Sequence, residues 1–187
     1  MKQLKDQGLW DNTIIVFTSD HGYHLGDHFL WGKVTLFDVC TKVPFIVRVP
    51  GMSNTGSRSN SMVELVDAFP TLTELVGLET PGHLQGTSLV PLLQDPKLKG
   101  EKAYAYSVVT RRNALGYAIR NQTWRYGKWP NGEELYDLTR DPHERDNLAN
   151  NVEHSGRLKT MRKVLAMKQK QAEAKREAPG VGASELR

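Results

Sequence analysis

The chain has 187 residues, a formal net charge of +4 and 39% hydrophobic residues, enough for one globular domain or one and a fraction. No apolar run reaches the ~18 residues a transmembrane helix needs, residues 1–6 lack the apolar stretch of a signal peptide, and a single cysteine excludes an internal disulfide framework. Residues 157–187 hold nine Lys or Arg against three Glu, so residues 1–156 carry a net −2. The basic stretch 167–176, without aromatics, reads as a solvated, fraying helix. A nucleic-acid surface would place its basic residues on a structured face, so no nucleic acid is expected as a partner.

In chain order, residues 1–9 read as a helix end with Gly8 near its C-cap. Residues 12–19, around Ile14-Ile15-Val16-Phe17, read as a strand covered on both faces, as in a buried parallel sheet. Residues 20–40 form a long Gly- and His-rich loop, and such loops in compact domains are commonly functional. A second buried strand covers 43–49 and closes at Pro50-Gly51. Ser61 to Glu64 has the spacing of a capping box. Met62, Leu65, Val66, Phe69, Leu72, Leu75 and Val76 then recur at helical spacing and are expected in the core, with Pro70 starting or kinking that helix.

Residues 81–100 read as a loop with one helical turn near Ser88. Strands are expected at 103–109, 116–120, 123–126 and 135–138, the last at an edge. Asn121-Gln122 is a weak turn signal and Asn131-Gly132 a stronger one. Trp124, Tyr126, Trp129 and Tyr136 are expected to pack within this small antiparallel sheet. Residues 178–187 are expected to be disordered.

The chemistry concentrates after the first strand. Asp20-His21-Gly22 leaves its carboxyl end, where ligand sites form in open α/β sheets. Asp oxygen and His nitrogen both ligate metals, and Lys33 follows thirteen residues later. A strand-end turn alone accounts for an Asp-His-Gly triplet. It does not account for the density around it: His24, Asp27 and His28 also fall in this loop, so three of the six histidines lie within eight residues. Cys40 reads as a small buried hydrophobe.

Asp20-His21-Gly22-Tyr23-His24-Leu25-Gly26-Asp27-His28, Trp31-Gly32-Lys33 and Val43 to Gly51 together resemble the second half of a sulfatase of the alkaline phosphatase superfamily, iduronate-2-sulfatase-like in detail. Glu64 to Leu72, Leu84 to Leu93, Glu134 to Leu138, Asp141-Pro142 and Asn147-Leu148 continue the series through about residue 150. The resemblance implies the C-terminal portion of an alkaline-phosphatase-like α/β/α sandwich over residues 1–100. It implies a small antiparallel subdomain over 101–150, with the helical basic tail at 151–187.

The resemblance also implies roles. Asp20 and His21 match half of a divalent-metal cluster, with calcium as the expected ion, and Lys33 matches a sulfate-contacting catalytic lysine. His24 and His28 are candidates for lining the substrate pocket. The substrate class would be a sulfated small molecule or glycan, and the expected location is periplasmic, secreted or lysosomal. The family's formylglycine arises from a Cys/Ser-x-Pro-x-Arg motif that this chain lacks, as it lacks the N-terminal Asp-Asp metal pair. The chain is therefore expected to be the C-terminal part of a longer enzyme, inactive alone. A phosphodiesterase or phosphonate hydrolase of the same superfamily is the enzymatic alternative, and a stranded fragment without catalytic function the non-enzymatic one.

Overall fold

A computed structural model describes residues 1–176. The stretch expected to be disordered, 178–187, lies outside them. Helix α1 (Lys2–Asp6) leads into strand β1 (Ile15–Thr18), which pairs with β4 (Phe45–Arg48). The pairing is antiparallel, with Phe17 opposite Ile46, so the parallel arrangement expected from the apolar run is corrected. An apolar run reports burial, not strand direction. Nor are both faces covered: Phe17 is 60% and Ile46 59% exposed.

The long loop between these strands is more ordered than its composition suggests. It carries a short hairpin, β2 (His24–Leu25) with β3 (Trp31–Gly32), and a single helical turn, α2 (Asp38–Thr41). Cys40 is buried in α2 as expected.

Helix α3 (Ala68–Leu75) follows a 3-10 turn at Leu65–Asp67, with Pro70 in its first turns. The capping box is present but one turn later than read: Glu64 caps and Asp67 reciprocates, the Glu64 amide donating to Asp67 at 2.8 Å. The apolar stripe expected in the core is exposed at Leu65, Val66, Phe69, Leu72 and Val76. The buried face is instead Asp67, Pro70 and Thr71, held by hydrogen bonds. The Thr87 amide donates to Asp67 and the Leu89 amide to Thr71 Oγ1, both at 2.8 Å. Lys102 pairs with both Glu64 and Asp67. Amphipathic periodicity identifies a helix and its apolar side, but among the described residues nothing covers that side. Helix α4 (Val90–Gln94) supplies the turn expected near Ser88.

The second half is a four-stranded antiparallel meander, β5 (Ala105–Arg111), β6 (Ala114–Arg120), β7 (Trp124–Trp129) and β8 (Gly132–Asp137), in that order. Asn121 turns β6 into β7 as an Asx turn, its Oδ1 accepting from the Trp124 amide at 2.8 Å. The next turn is Pro130-Asn131 rather than Asn131-Gly132, because Gly132 already pairs with Trp129.

Helix α5 (Ser155–Arg176) lies across this sheet. Leu158, Met161 and Leu165, at i, i+3 and i+7, bury against Ile119, Tyr126 and Leu135. The first three turns of the basic tail therefore pack on the sheet, while the stretch read as solvated, 167–176, begins beyond them with Met167 51% exposed. The many lysines and arginines of α5 hid three well-spaced apolar residues. Among the described residues, no helix is long and apolar enough to cross a membrane.

Candidate functional site

Strand β1 ends at Thr18, and the chain turns immediately through Ser19 and Asp20 to His21. The Ser19 hydroxyl donates to the His21 carbonyl at 2.7 Å, and the His21 amide donates to Asp20 Oδ1 at 3.0 Å. These local bonds set Asp20 and His21 side by side, with Asp20 Oδ2 3.4 Å from His21 Nε2. The next residue must be glycine. A Cβ at Gly22 would lie 1.9 Å from the Val39 carbonyl oxygen, and the Gly22 amide donates to the Cys40 carbonyl at 2.8 Å. Helix α2 thus packs directly on the Asp-His corner.

His21 Nδ1 lies 2.7 Å from the Gly22 carbonyl, which can only accept. Nδ1 must therefore carry the proton, and Nε2 presents its lone pair, the arrangement in which a second partner prepares an imidazole to ligate a metal. Lys33, one residue beyond β3, places Nζ 2.7 Å from that same Nε2 and donates to it. So two potential ligands and one cation converge on a single point. They line a cleft of about 1040 Å³ whose walls include Lys42, Ser61 and Arg120. Lys42 and Arg120 add positive charge to this cleft. Residue spacing gave no sign of either, because Arg120 arrives from the distant small sheet.

The other two predicted residues sit elsewhere. His24 is fully buried, with Nε2 2.8 Å from Thr35 Oγ1 and Nδ1 3.0 Å from the Asp27 carbonyl. His28 stacks on Phe37 with ring centroids 3.8 Å apart. Burial, and then the neighbouring His24 and Arg125, push the His28 imidazole below its ordinary value. Both side chains pack the β2–β3 hairpin onto the body, and neither lines the cleft. The opposite face of the hairpin exposes Leu25 and its cross-strand partner Trp31.

One carboxylate and one imidazole are hard, or borderline, donors suited to a divalent cation. They fit part of a coordination shell. Among the described residues no group of three or more His, Cys, Asp or Glu side chains could close around an ion.

A strand leading into Asp20 and His21, a lysine aimed at the same point and an appended antiparallel sheet fit the C-terminal portion of the sulfatase family, of the alkaline-phosphatase type. The chain belongs to the family described as N-sulphoglucosamine sulphohydrolase, C-terminal, whose model matches residues 26–171. It is 33% identical over 181 residues to an N-acetylglucosamine-6-O-sulfatase of Bacteroides thetaiotaomicron, covering 91% of this chain and 32% of that protein. It superimposes with a TM-score of 0.86 and 32% identity on a solved structure in complex with its substrate D-glucosamine-2-N,6-O-disulfate, covering 92% of this chain and 37% of that one. It also matches the phosphonate monoester hydrolase of Agrobacterium radiobacter, with a TM-score of 0.82, 32% identity, and coverage of 91% and 38%. The chain spans about a third of the length of these proteins.

Proposed function

We propose that this chain is the C-terminal part of a metal-dependent sulfatase that hydrolyses sulfate esters on sulfated sugars. Asp20 Oδ and His21 Nε2 would hold one side of a divalent cation, calcium being the best match to a shell completed by further carboxylates. When bound, such a cation neutralises charge on the sulfate and on the attacking group. Lys33 then acts as the chain's own oxyanion partner. Its ammonium, 2.7 Å from His21 Nε2, would turn from the imidazole to a sulfuryl oxygen once the metal takes the imidazole lone pair. A point cation on a flexible stem suits an oxygen that moves during transfer. The Lys33–His21 contact supports this reading, since an ammonium stands beside an imidazole suited to ligate a metal.

The nucleophile and the remaining ligands would come from the portion of the enzyme outside this chain, so the chain by itself is expected not to hydrolyse an aryl sulfate. That portion would also cover Phe17, Ile46 and the exposed stripe of α3. The likeness to a phosphonate monoester hydrolase favours a second reading, in which the same half-site serves a phosphonate ester.

The test joins this chain to the complementary portion of the Bacteroides thetaiotaomicron sulfatase and assays sulfate- and phosphonate-ester hydrolysis with calcium titration. Lys33→Met should leave metal affinity nearly unchanged and lower kcat by about 10²–10³, the usual effect of removing one oxyanion-stabilising group. Turnover equal to the parent would reduce Lys33 to a surface lysine, and a preference for the phosphonate ester would select the second reading.

A further inference from the structure

Arg120 and Arg125 stand directly opposite one another on β6 and β7. Like charges facing across a ladder are destabilising, and Arg125 is only 1% exposed. The fold sustains the pair by placing carboxylates against it. Arg120 Nε donates to both oxygens of Asp38, at 2.8 and 3.0 Å. Arg125 Nε donates to Glu144 Oε1, and its terminal nitrogens donate to Glu134 at 3.2 Å. The other oxygen of Glu144 accepts the Asp38 amide at 2.7 Å. Glu144 is itself 3% exposed and holds a left-handed backbone, φ 55°. The Arg125 guanidinium also lies over the Phe37 and Tyr136 rings, 4.9 and 4.8 Å from their centroids.

A buried ionic cluster of this kind is weak evidence for stability, because apolar residues of similar volume often do as well. What it does fix is geometry. Both arms grip Asp38, the first residue of α2, and α2 is the element whose Cys40 carbonyl holds the Gly22 amide. Gly22 in turn offers the carbonyl that fixes the His21 ring. A second path runs through Phe37, which caps α2 and stacks on His28 of the loop leading to Lys33.

We infer that Glu144, Arg125 and Asp38 are positioning residues, through which the small antiparallel sheet sets the orientation of His21 and the approach of Lys33. The inference rests on the sulfatase reading only for what the site is used for; the mechanical coupling stands on these contacts alone. It also gives the appended sheet a task in the site, although none of Arg125, Glu144 and Asp38 lines the cleft.

The test uses the full chain and no metal or sulfate, so it is independent of the sulfatase assay. Glu144→Gln retains the shape but cannot accept from both Arg125 and the Asp38 amide. Amide hydrogen exchange at Gly22 should accelerate on the order of tenfold. The His21 ring nitrogens should shift in the NMR spectrum toward a mixture of tautomers. The β6–β7 ladder amides and the α5 amides should keep their protection within about twofold. Asp38→Asn, a milder change, should act in the same direction, and the outward pair Arg162–Glu133, broken by Glu133→Gln, should leave Gly22 unmoved. The inference is overturned if Gly22 and His21 are unchanged in both variants. It is equally overturned if every amide loses protection by the same factor, since the cluster would then be a stability element only.

Discussion

The two halves of this chain treat their apolar residues in opposite ways. In the second half, Ile119, Tyr126, Leu135, Leu158, Met161 and Leu165 close into one core between a four-stranded sheet and a helix. In the first half, β1, β4 and α3 turn Phe17, Ile46, Phe69 and Val76 outward. The sheet and α5 enclose a core of their own, whereas α2 and the turn before α3 reach the sheet through polar contacts, Asp38 with Arg120 and Glu144, and Glu64 with the Tyr106 amide. Order at the site therefore draws on the half that supplies Arg120 to the cleft but none of Asp20, His21 and Lys33.

The largest effect should come from the closed core. Met161→Ala removes a fully buried side chain and should lower unfolding free energy by about 2–5 kcal/mol, measured by urea denaturation of the isolated chain. Phe17→Ser, at an equally apolar residue, should change it by less than about 0.5 kcal/mol, as for other exposed positions. Equal losses at both would erase the contrast between the halves.

An intermediate effect is expected where α2 packs on the Asp-His corner. Gly22→Ala drives a Cβ against the Val39 carbonyl, and crowding of this kind costs about 1–3 kcal/mol. The same denaturation should show that loss, and the His21 ring resonances should move with it. A fully stable variant with an unmoved His21 would mean that α2 does not hold the corner.

The smallest effect is a pH dependence confined to the hairpin. The His28 imidazole titrates below its ordinary value of 6.5 because burial disfavours its charged form. The unfolded chain therefore binds the proton more readily. The contribution is fully present above pH 6.5 and declines as pH falls through 6.5 toward the lower folded value. His28→Phe keeps the ring on Phe37 and should flatten this part of the stability-versus-pH curve. An unchanged slope would place the titration elsewhere.

Much of the site was legible in the sequence because it is local. Asp20 and His21 follow an apolar strand by two residues, and Lys33 lies on the same loop. The four strands of the meander were legible from β-branched and aromatic runs broken by Asn. What escaped was whatever depends on a distant partner. Direction of pairing between β1 and β4 leaves no trace in an apolar run. His24 was a candidate for lining the substrate pocket because imidazole chemistry is the same whether the ring meets a substrate or Thr35. The stripe on α3 was read correctly as apolar, yet apolar periodicity says only which side wants cover. In α5, three spaced apolar residues were outvoted by the surrounding charges.

The grip of Glu144 on Asp38 spans 106 residues, and this has a consequence for timing. A ribosome adding about 5–20 residues per second needs roughly 5–20 s to pass from one partner to the other. Throughout that interval the Asp-His corner and the loop bearing Lys33 already exist as chain, without the clamp that orients them. Distant contacts of this kind also slow folding itself. The candidate site is thus written early in the polypeptide and assembled late, once the part of the chain that supplies Arg120 and Glu144 has followed.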